Sequence, residues 1–399
     1  MNILENPKGT LVYDIGSSSI KFGFAGDAQP LFSVPSSAAK IGESEYQFGD
    51  EWMNKDYPGL EIIQIIADNG FIGPYDQDIF STFFDWTYSS QCMNIEPQEH
   101  PILVSQPSSL QRNSDQFDRW RKTICSVLFE FSNHPRVCFE YDSSLASYSH
   151  GVPTSLVVDF GWSCIRVIPI IEGRPHLSAI KTSPFGGFCL CDHLETRLSK
   201  FGIDIPVKFP SKRGPFYNQS PITESQKKYC KRLVLKDVIW NNLCFIPPKV
   251  IDPNGFLYFF NGISDPFDVQ EPMKQLGSLL FNAQHTTQGL IQSLPDIVNE
   301  VINNTPADVR RTLWSNIILS GGSSNLRGFG DLLSNELNTR KPKNYTVSIL
   351  KPAHQITSGS FAVWSGGSIL GSLEEFEDLC ISKSEWEEHG ENILKTKCK

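Results

Sequence analysis

The 399-residue sequence contains no apolar run as long as the roughly 18 residues that a membrane-spanning helix needs. Its beginning, residues 1–7, has no basic segment followed by an apolar one, so we expect no secretory signal. The ten cysteines form no Cys-x-x-Cys pair, and the single Cys-x-Cys, at Cys189 and Cys191, has no second half. These absences predict reduced thiols and no membrane contact, in the cytosol or the nucleus.

Positive charge is also scarce, since the formal net charge is −9. A protein that grips nucleic acid over a broad surface needs the opposite balance, so no direct nucleic-acid contact is expected. Apolar residues are plentiful, because 40% of the chain is hydrophobic and 27 residues are Phe, which predicts a large core in about two or three domains. One basic cluster has helical spacing and is interpreted as a solvated helix face rather than a phosphate-binding patch; its members are Lys227, Lys228, Lys231, Arg232 and Lys236.

A short pattern occurs twice. In the first copy an apolar run ends in Asp14-Ile15-Gly16 and three serines, and an alternating run follows; in the second copy a similar run ends in Asp159-Phe160-Gly161. Each copy predicts a strand, a tight turn and a second strand, and each is followed by segments with helical periodicity. The chain is therefore predicted to be an α/β protein made of two related halves.

The predicted chemistry of these turns is phosphate binding. Glycine lets the backbone approach a ligand, and the N–H groups of a Ser-rich turn can cradle phosphate oxygens, although a plain hairpin with a surface Asp would share the pattern. An Asp at each strand end can hold Mg²⁺ through water, and Lys21 can reach terminal phosphates. A later Gly-Gly turn that opens a helix at residues 329–338 is either a third contact or a tight structural turn. The candidate nucleotide-binding residues are Asp14, Gly16, Ser17, Ser18, Ser19, Lys21, Asp159, Gly161, Gly321, Gly322 and Ser323, with Asp14 and Asp159 as candidate magnesium ligands through water.

The order of these motifs resembles the actin family over nearly the whole chain. The resemblance rests on two phosphate loops, an adenosine segment, a first-domain strand and the C-terminal segment, at residues 14–30, 159–173, 308–328, 99–103 and 365–398. It implies an actin-like fold with two related α/β domains (ribonuclease H-like halves) around a central nucleotide cleft. We expect a discontinuous first domain of residues 1–142 plus 362–399. The second domain would span residues 143–361, with an extended outer part around 202–253.

The sequence departs from actins where ATP hydrolysis is organised. Trp162 replaces the second Asp of the second phosphate loop, Arg166 replaces a His, and Asp142 stands where actins have a water-positioning Gln. A Trp cannot coordinate a metal-bound water, and Asp142 beside a polyphosphate would add like charge. Losing water orientation should reduce turnover by orders of magnitude, so we expect no enzymatic activity. ATP with Mg²⁺ stays the candidate cofactor, because the first turn is intact.

The closest resemblance is to the nuclear actin-related proteins that serve in chromatin-remodelling and histone acetyltransferase complexes. Residues 36–48 are shorter than the loop that actin inserts into its neighbour in a filament, which disfavours polymerisation, and a Pro-Asn-Gly segment at 253–255 is shared with that nuclear class. The resemblance implies a non-filamentous structural subunit, located in the nucleus. Alternatives are a cytoplasmic end-capping subunit like that of dynactin, and a weakly ATP-hydrolysing actin relative.

The implied partner is a long helix of a larger remodeller or acetyltransferase subunit, with monomeric actin or another actin-related protein as further candidates. Actin-fold proteins bind such helices in an apolar groove between the halves of their base. Ordinary core packing would explain the same apolar positions. The residues that match the groove are Tyr148, Ile369, Leu370, Leu373 and Phe376.

Overall fold

The computed structural model describes residues 9–43, 45–49, 52, 59–66, 77–108, 115–205, 222–245, 257–258, 267–269, 273, 276–286, 289–351 and 359–397. Of the expected outer part at residues 202–253, the stretches 206–221 and 246–253 lie outside these described residues, as does the shared segment at 253–255. No helix among the described residues is long and apolar enough to cross a membrane.

The described strands are numbered along the chain. They are β1 (Leu11–Ile15), β2 (Ser19–Phe24), β3 (Phe32–Pro35), β4 (Ser37–Ile41), β5 (Glu45–Gln47), β6 (Glu61–Gln64), β7 (Ile102–Gln106), β8 (Arg136–Tyr141), β9 (Ser155–Phe160), β10 (Ile165–Ile171), β11 (Arg174–Pro175), β12 (Lys181–Ser183), β13 (Leu257–Tyr258), β14 (Phe267–Asp268), β15 (Gln284–Thr286), β16 (Gly289–Ile291), β17 (Ile317–Ser320) and β18 (Ile381–Ser382).

The described helices are numbered in the same way. They are α1 (Gln77–Tyr88), α2 (Asp115–Cys125), α3 (Asp142–Tyr148), α4 (Gly187–Lys200), α5 (Glu224–Asn242), α6 (Leu276–Phe281), α7 (Leu294–Asn303), α8 (Arg310–Ser315), α9 (Phe329–Arg340), α10 (Ala362–Gly371), α11 (Phe376–Leu379), α12 (Lys383–His389) and α13 (Ile393–Lys397). Helix α9 confirms the helix expected after the Gly-Gly turn.

Two larger sheets carry the fold. The first has the strand order β18-β8-β7-β1-β2-β3, and the second has the order β11-β10-β9-β17, with β12 paired to β10. In each sheet an antiparallel hairpin, β1–β2 or β9–β10, has a parallel strand, β7 or β17, beside its first strand. The repeated arrangement confirms the predicted α/β fold with two related halves.

The chain does not divide between the sheets at a single point. The first sheet takes strands from residues 11–141 and adds β18 from the C-terminal segment, whereas the second takes strands from residues 155–320. This distribution supports a discontinuous first domain, and the exact limits at 142/143 and 361/362 stay predictions. Within residues 36–48, β4 and β5 pair as a short antiparallel hairpin, so this stretch is compact where it is described.

Local sequence signals explain where several helices begin. Thr223 caps α5 by accepting the Gln226 N–H, and the Gln226 side chain accepts the Thr223 N–H, which completes a capping box. Ser293 caps α7 by accepting the Asp296 N–H, and the first turn of α7 contains a proline, whose fixed backbone angle suits that position. These signals fix the helix starts independently of tertiary packing.

Helices α3 and α10 lie between the two sheets. On α3, Leu145 packs in a cluster under the first sheet and Ala146 in a cluster under the second; on α10, Trp364 and Ala362 divide in the same way. The helices approach so closely that a β-carbon on Gly366 would lie 1.8 Å from the Leu145 carbonyl oxygen. Each half has its own larger core, and this helix pair connects them.

The contact at Gly366 yields a prediction about stability. We expect Gly366→Ala to lower the free energy of unfolding by about 2 kcal/mol or more, because the added methyl forces backbone apart. Ser372→Ala, just after the same helix at an exposed position, serves as the control and should change stability by less than about 0.5 kcal/mol. Urea unfolding of both variants measures the free energy of unfolding. Equal losses of stability in the two variants would show that the close approach of α3 and α10 at Gly366 does not limit what this position tolerates.

A second prediction concerns His134, which is fully buried in the first half. Its Nδ1–H donates to the His100 carbonyl at 2.8 Å, so its Nε2 accepts from the Tyr88 hydroxyl at 2.8 Å. Burial lowers the pKa of His134 from 6.5 to about 4. The unfolded chain therefore binds a proton that the folded chain excludes, and stability should fall as pH drops from about 6.5 to 4.

The expected loss from this single group is about 3 kcal/mol across that pH window. Urea unfolding at stepped pH measures the decline, and His134→Gln should show a smaller decline over the same window because it cannot titrate. A variant that declines as steeply as the parent would assign the pH dependence to other groups.

Candidate functional site

The predicted nucleotide-binding residues line one cleft between the two halves. The cleft has a volume of about 650 Å³, and all eleven candidate residues are on its walls. The sequence patterns alone did not establish this proximity, since the three contributing segments are far apart in the chain. It follows from the fold, because β1, β9 and β17 each end at this cleft.

The two repeated hairpins have the same local geometry. In the first turn the Gly16 N–H donates to the Ser19 carbonyl at 3.2 Å, and in the second the Gly161 N–H donates to the Cys164 carbonyl at 3.1 Å. A β-carbon on Gly16 would lie 2.9 Å from the Ser19 oxygen, so the first turn requires glycine at this position. The repeated sequence pattern is therefore matched by a repeated pattern of backbone hydrogen bonds.

In the first hairpin Asp14 lies opposite Lys21 across the strands. Lys21 Nζ is 2.9 Å from Asp14 Oδ2, and both side chains are largely buried. Ser105 at the end of β7 donates its hydroxyl to Asp14 Oδ1 at 3.2 Å and accepts the Ile15 N–H. Asp14 is thus positioned from two strands, with its charge balanced by Lys21.

In the second hairpin Arg166 lies opposite Asp159 and holds two carboxylates. Its Nε donates to Asp159 Oδ2 at 3.0 Å, a second guanidinium nitrogen contacts the same oxygen, and its third nitrogen lies 2.8 Å from Asp142 Oδ2. All three side chains are largely buried, with 11–13% of their surface exposed. Burial disfavours the charged guanidinium, but the two carboxylates outweigh this and raise the pKa of Arg166.

Asp142 begins α3 and is held by the first half. Its Oδ1 accepts the Ser108 N–H at 3.1 Å and the Ser143 N–H at 2.7 Å, and the Ser108 hydroxyl also donates to it. The like charge expected from Asp142 beside a polyphosphate is offset only in part, because Arg166 pairs with Asp142 but is shared with Asp159. Both Asp142 oxygens contact protein donors.

The expected magnesium ligands, Asp14 and Asp159, each have a protein cation as partner. Among the described residues no group of three or more His, Cys, Asp or Glu side chains could hold a metal ion. A divalent cation at Asp159 would also stand beside the fixed charge of Arg166. The residues of this chain therefore do not fit Mg²⁺ at the second turn.

The walls of the cleft do fit a phosphate-bearing ligand. Gly321 has φ +83°, and a β-carbon there would lie 2.4 Å from the Phe160 carbonyl, so only glycine brings the Gly-Gly turn against the second hairpin. Ser163 and Ser320 line the cleft, and their buried hydroxyls have no hydrogen-bond partner among the described residues. An ordered water or a bound ligand can satisfy such hydroxyls.

Lys236 reaches across the cleft, a position that the sequence pattern did not reveal. Lys236 on α5 in the second half donates to the Ser18 hydroxyl in the first turn at 2.9 Å and lies 5.5 Å from the Trp162 ring centre. One turn earlier, the Arg232 guanidinium lies 4.5 Å from the ring centre of Phe188. Lys236 is exposed and Arg232 is half-buried, so the interpretation as a solvated face stays a prediction, and helical spacing alone does not reveal the aromatic rings beside these two residues.

The outer ends of the two halves also meet. Thr223 and Ser225 at the start of α5 hydrogen bond to the backbone of Leu60 and Ile62 beside or within β6, at 2.8 and 2.9 Å. The Trp52 and Tyr229 rings lie 5.5 Å apart in a small apolar cluster. These contacts join the outer parts of the two halves.

The expected groove residues fall into two groups. Ile369 and Leu373 are exposed over 39% and 49% of their surface, and Tyr148 is half-buried, with its hydroxyl 3.2 Å from the Gly173 carbonyl. Leu370 and Phe376 are buried in the cluster with Trp364. Leu370 and Phe376 are therefore core residues rather than groove-lining residues, because their side chains pack beneath the exposed pair.

Comparison with known proteins places the chain in a family. The family described as actin matches residues 5–399. Actin-related protein 4 of Arabidopsis thaliana is 28% identical over 97% of this chain and 98% of its own length. Actin-related protein 3 of Drosophila melanogaster is 27% identical over 96% of each chain, and actin-like protein 7A of Rattus norvegicus is 28% identical over 97% of this chain and 82% of its own.

Actin-family proteins generally bind ATP with magnesium, and the match extends through both hairpins, the Gly-Gly turn and the C-terminal helices. With the repeated α/β halves, the cleft between them and this full-length match, the chain belongs to the actin family, as an actin-related protein.

Proposed function

We propose that this protein is a non-filamentous structural subunit of a chromatin-remodelling or histone-modifying complex in the nucleus. The observation that carries the proposal is the pair of ion pairs at the cleft floor. There Arg166 pairs with both Asp142 and Asp159, while the turns that surround the cleft are intact. A site built this way keeps its shape without the groups that orient an attacking water. The similarity to plant proteins named actin-related protein 4 supports the nuclear class.

ATP is the proposed ligand of the cleft, in a structural rather than a catalytic role. The Ser17–Ser19 turn and Lys21 would bind its phosphates, and the Gly321–Ser323 turn would approach the nucleoside from the second half. Trp240 also lines the cleft with 47% of its surface exposed, and it can cover an aromatic base. Bound ATP would join the halves without being consumed.

The proposed partner contact lies at Ile369 and Leu373. Exposed aliphatic side chains four residues apart, at the end of α10 and just after it, suit the apolar face of a partner helix. Leu379, on the same terminal segment, is exposed to the same extent as Leu373 and extends the apolar surface. We propose that a long helix of a larger subunit covers this surface, with actin or another actin-related protein as a neighbour.

A cytoskeletal subunit in the cytoplasm is the second candidate. The similarity to Drosophila actin-related protein 3 is nearly as high and covers as much of the chain. The two functions differ in their partners, so affinity purification from nuclear and cytoplasmic extracts with mass spectrometry separates them. Remodeller or acetyltransferase subunits support the first function, and cytoskeletal subunits the second.

The cleft floor predicts that the purified protein does not hydrolyse ATP. We expect phosphate release no higher than that of a buffer blank, because Asp142 is fully engaged and the permanently charged Arg166 cannot accept a proton from water. Muscle actin, assayed beside it under the same conditions, provides the positive control. Turnover equal to that of actin would contradict the degenerate-site proposal.

The groove proposal predicts that Leu373→Asp releases the protein from its complex. A charge placed in an apolar helix contact should weaken the association by about a hundredfold or more, while an exposed site should leave the monomer folded. Phe201→Asp is the matched control, because Phe201 is 57% exposed and lies at the end of α4 in the second half.

The measurement is recovery of remodeller or acetyltransferase subunits with each tagged variant, together with circular dichroism of the isolated proteins. Recovery with Phe201→Asp and loss with Leu373→Asp is the expected result. If the complex survives Leu373→Asp, the partner binds elsewhere.

A further inference from the structure

We propose that the cleft binds a nucleoside triphosphate without a divalent cation, with the Arg166 guanidinium occupying the place and supplying the charge of the metal. The inference rests on the proposed nucleotide binding and specifies its chemistry. It departs from the magnesium-dependent binding that is general in the family, and the departure comes from contacts of this chain.

The first step is the charge balance of the cleft floor. Asp142 and Asp159 both point at one guanidinium, at 2.8 and 3.0 Å. In water-poor surroundings two carboxylates attract a cation, and the position between them would suit a hydrated metal if it were empty. Here the cation is covalently part of β10, so a metal would have to displace a guanidinium held by both carboxylates.

The second step is the electrostatic repulsion between Arg166 and a divalent cation. A guanidinium stays protonated over the whole physiological range, and a divalent ion beside it would face a like charge in a partly desolvated cleft. Asp14, the other expected ligand, is already paired with Lys21 at 2.9 Å. The three carboxylates at the floor are thus contacted by two cations of the protein, Lys21 at Asp14 and Arg166 shared by Asp142 and Asp159.

The third step is the supply of groups for phosphate. Arginine has five N–H donors, and the contacts to Asp159 and Asp142 use three of them, which leaves two. Lys236 stands on the opposite wall, where its only described hydrogen bond is to the neutral hydroxyl of Ser18. Lys21, Arg166 and Lys236 all line the cleft, and Lys236 is the one of the three that pairs with no carboxylate among the described residues, so its charge is available to a polyphosphate.

The fourth step concerns Ser163 and Ser320. Their buried hydroxyls line the same cleft and have no partner among the described residues. Neutral hydroxyls near the second turn and the end of β17 can donate to phosphate or sugar oxygens. They are candidate donors to a ligand and take no part in the ion pairs.

The wild-type test is isothermal titration calorimetry of the full chain with ATP, in excess EDTA and in excess MgCl₂. We expect the affinity in EDTA to equal or exceed the affinity in magnesium. An affinity that drops about tenfold or more on chelation would overturn the metal-free proposal and leave nucleotide binding intact. Absence of binding in both buffers would overturn both, while the partner contact at Leu373 would be unaffected.

Two variants sharpen the test. Lys236→Met, on an exposed position of α5, should lower ATP affinity in EDTA by about tenfold or more, because a charge-assisted contact is lost. Arg166→Gln removes the cation that pairs with Asp142 and Asp159, so that a magnesium ion can take its place. We expect ATP binding by this variant to require magnesium. Arg136→Gln, which removes a surface ion pair with Glu377, is the control and should match the wild type in both buffers.

Arg166→Gln leaves buried carboxylates unpaired, so its folding is checked by circular dichroism. If it does not fold, the wild-type comparison and Lys236→Met still decide the proposal. Wild-type affinity unchanged by EDTA and reduced by Lys236→Met supports it. Lys236→Met binding as tightly as wild type would overturn the assignment of Lys236 as a phosphate contact.

Discussion

The guanidinium of Arg166 is the interaction on which the centre of this protein depends. It pairs with two largely buried carboxylates, Asp159 on its own hairpin and Asp142 at the start of α3, and Asp142 is in turn held by Ser108 of the first half. Removing one partner from such a buried group typically costs about 3 to 5 kcal/mol, because the remaining charges stay desolvated. The same contact therefore joins the halves and fixes the cleft floor.

The rest of the fold supports this contact from both sides. Helices α3 and α10 carry side chains for the clusters under both sheets, and their close approach at Gly366 fixes how the sheets face each other. Lys236 and the start of α5 also contact the first half. Contacts within the protein thus join the two halves both at the cleft floor and along α5.

Sequence reasoning predicted the α/β fold, its two related halves and the family, because those depend on local patterns. Strand-turn-strand segments and a helix after Gly-Gly need only neighbouring residues to be recognised. It was incomplete where distant segments meet. Lys236 was assigned to a solvated face because helical spacing alone cannot show that Ser18 and Trp162 lie opposite. Leu370 and Phe376 were assigned to a groove, although only Ile369 and Leu373 are exposed.

Asp142 and Arg166 show the same division most clearly. The sequence by itself determined that a Gln and a His of the family are replaced by an acid and a base, and that the first turn keeps its glycine, serines and lysine. Only the tertiary structure decided that the acid and the base pair with each other. The reason is physical: the charge that a side chain contributes to a cleft depends on what neutralises it, and the partners here lie 24 residues apart on different elements (166 − 142 = 24).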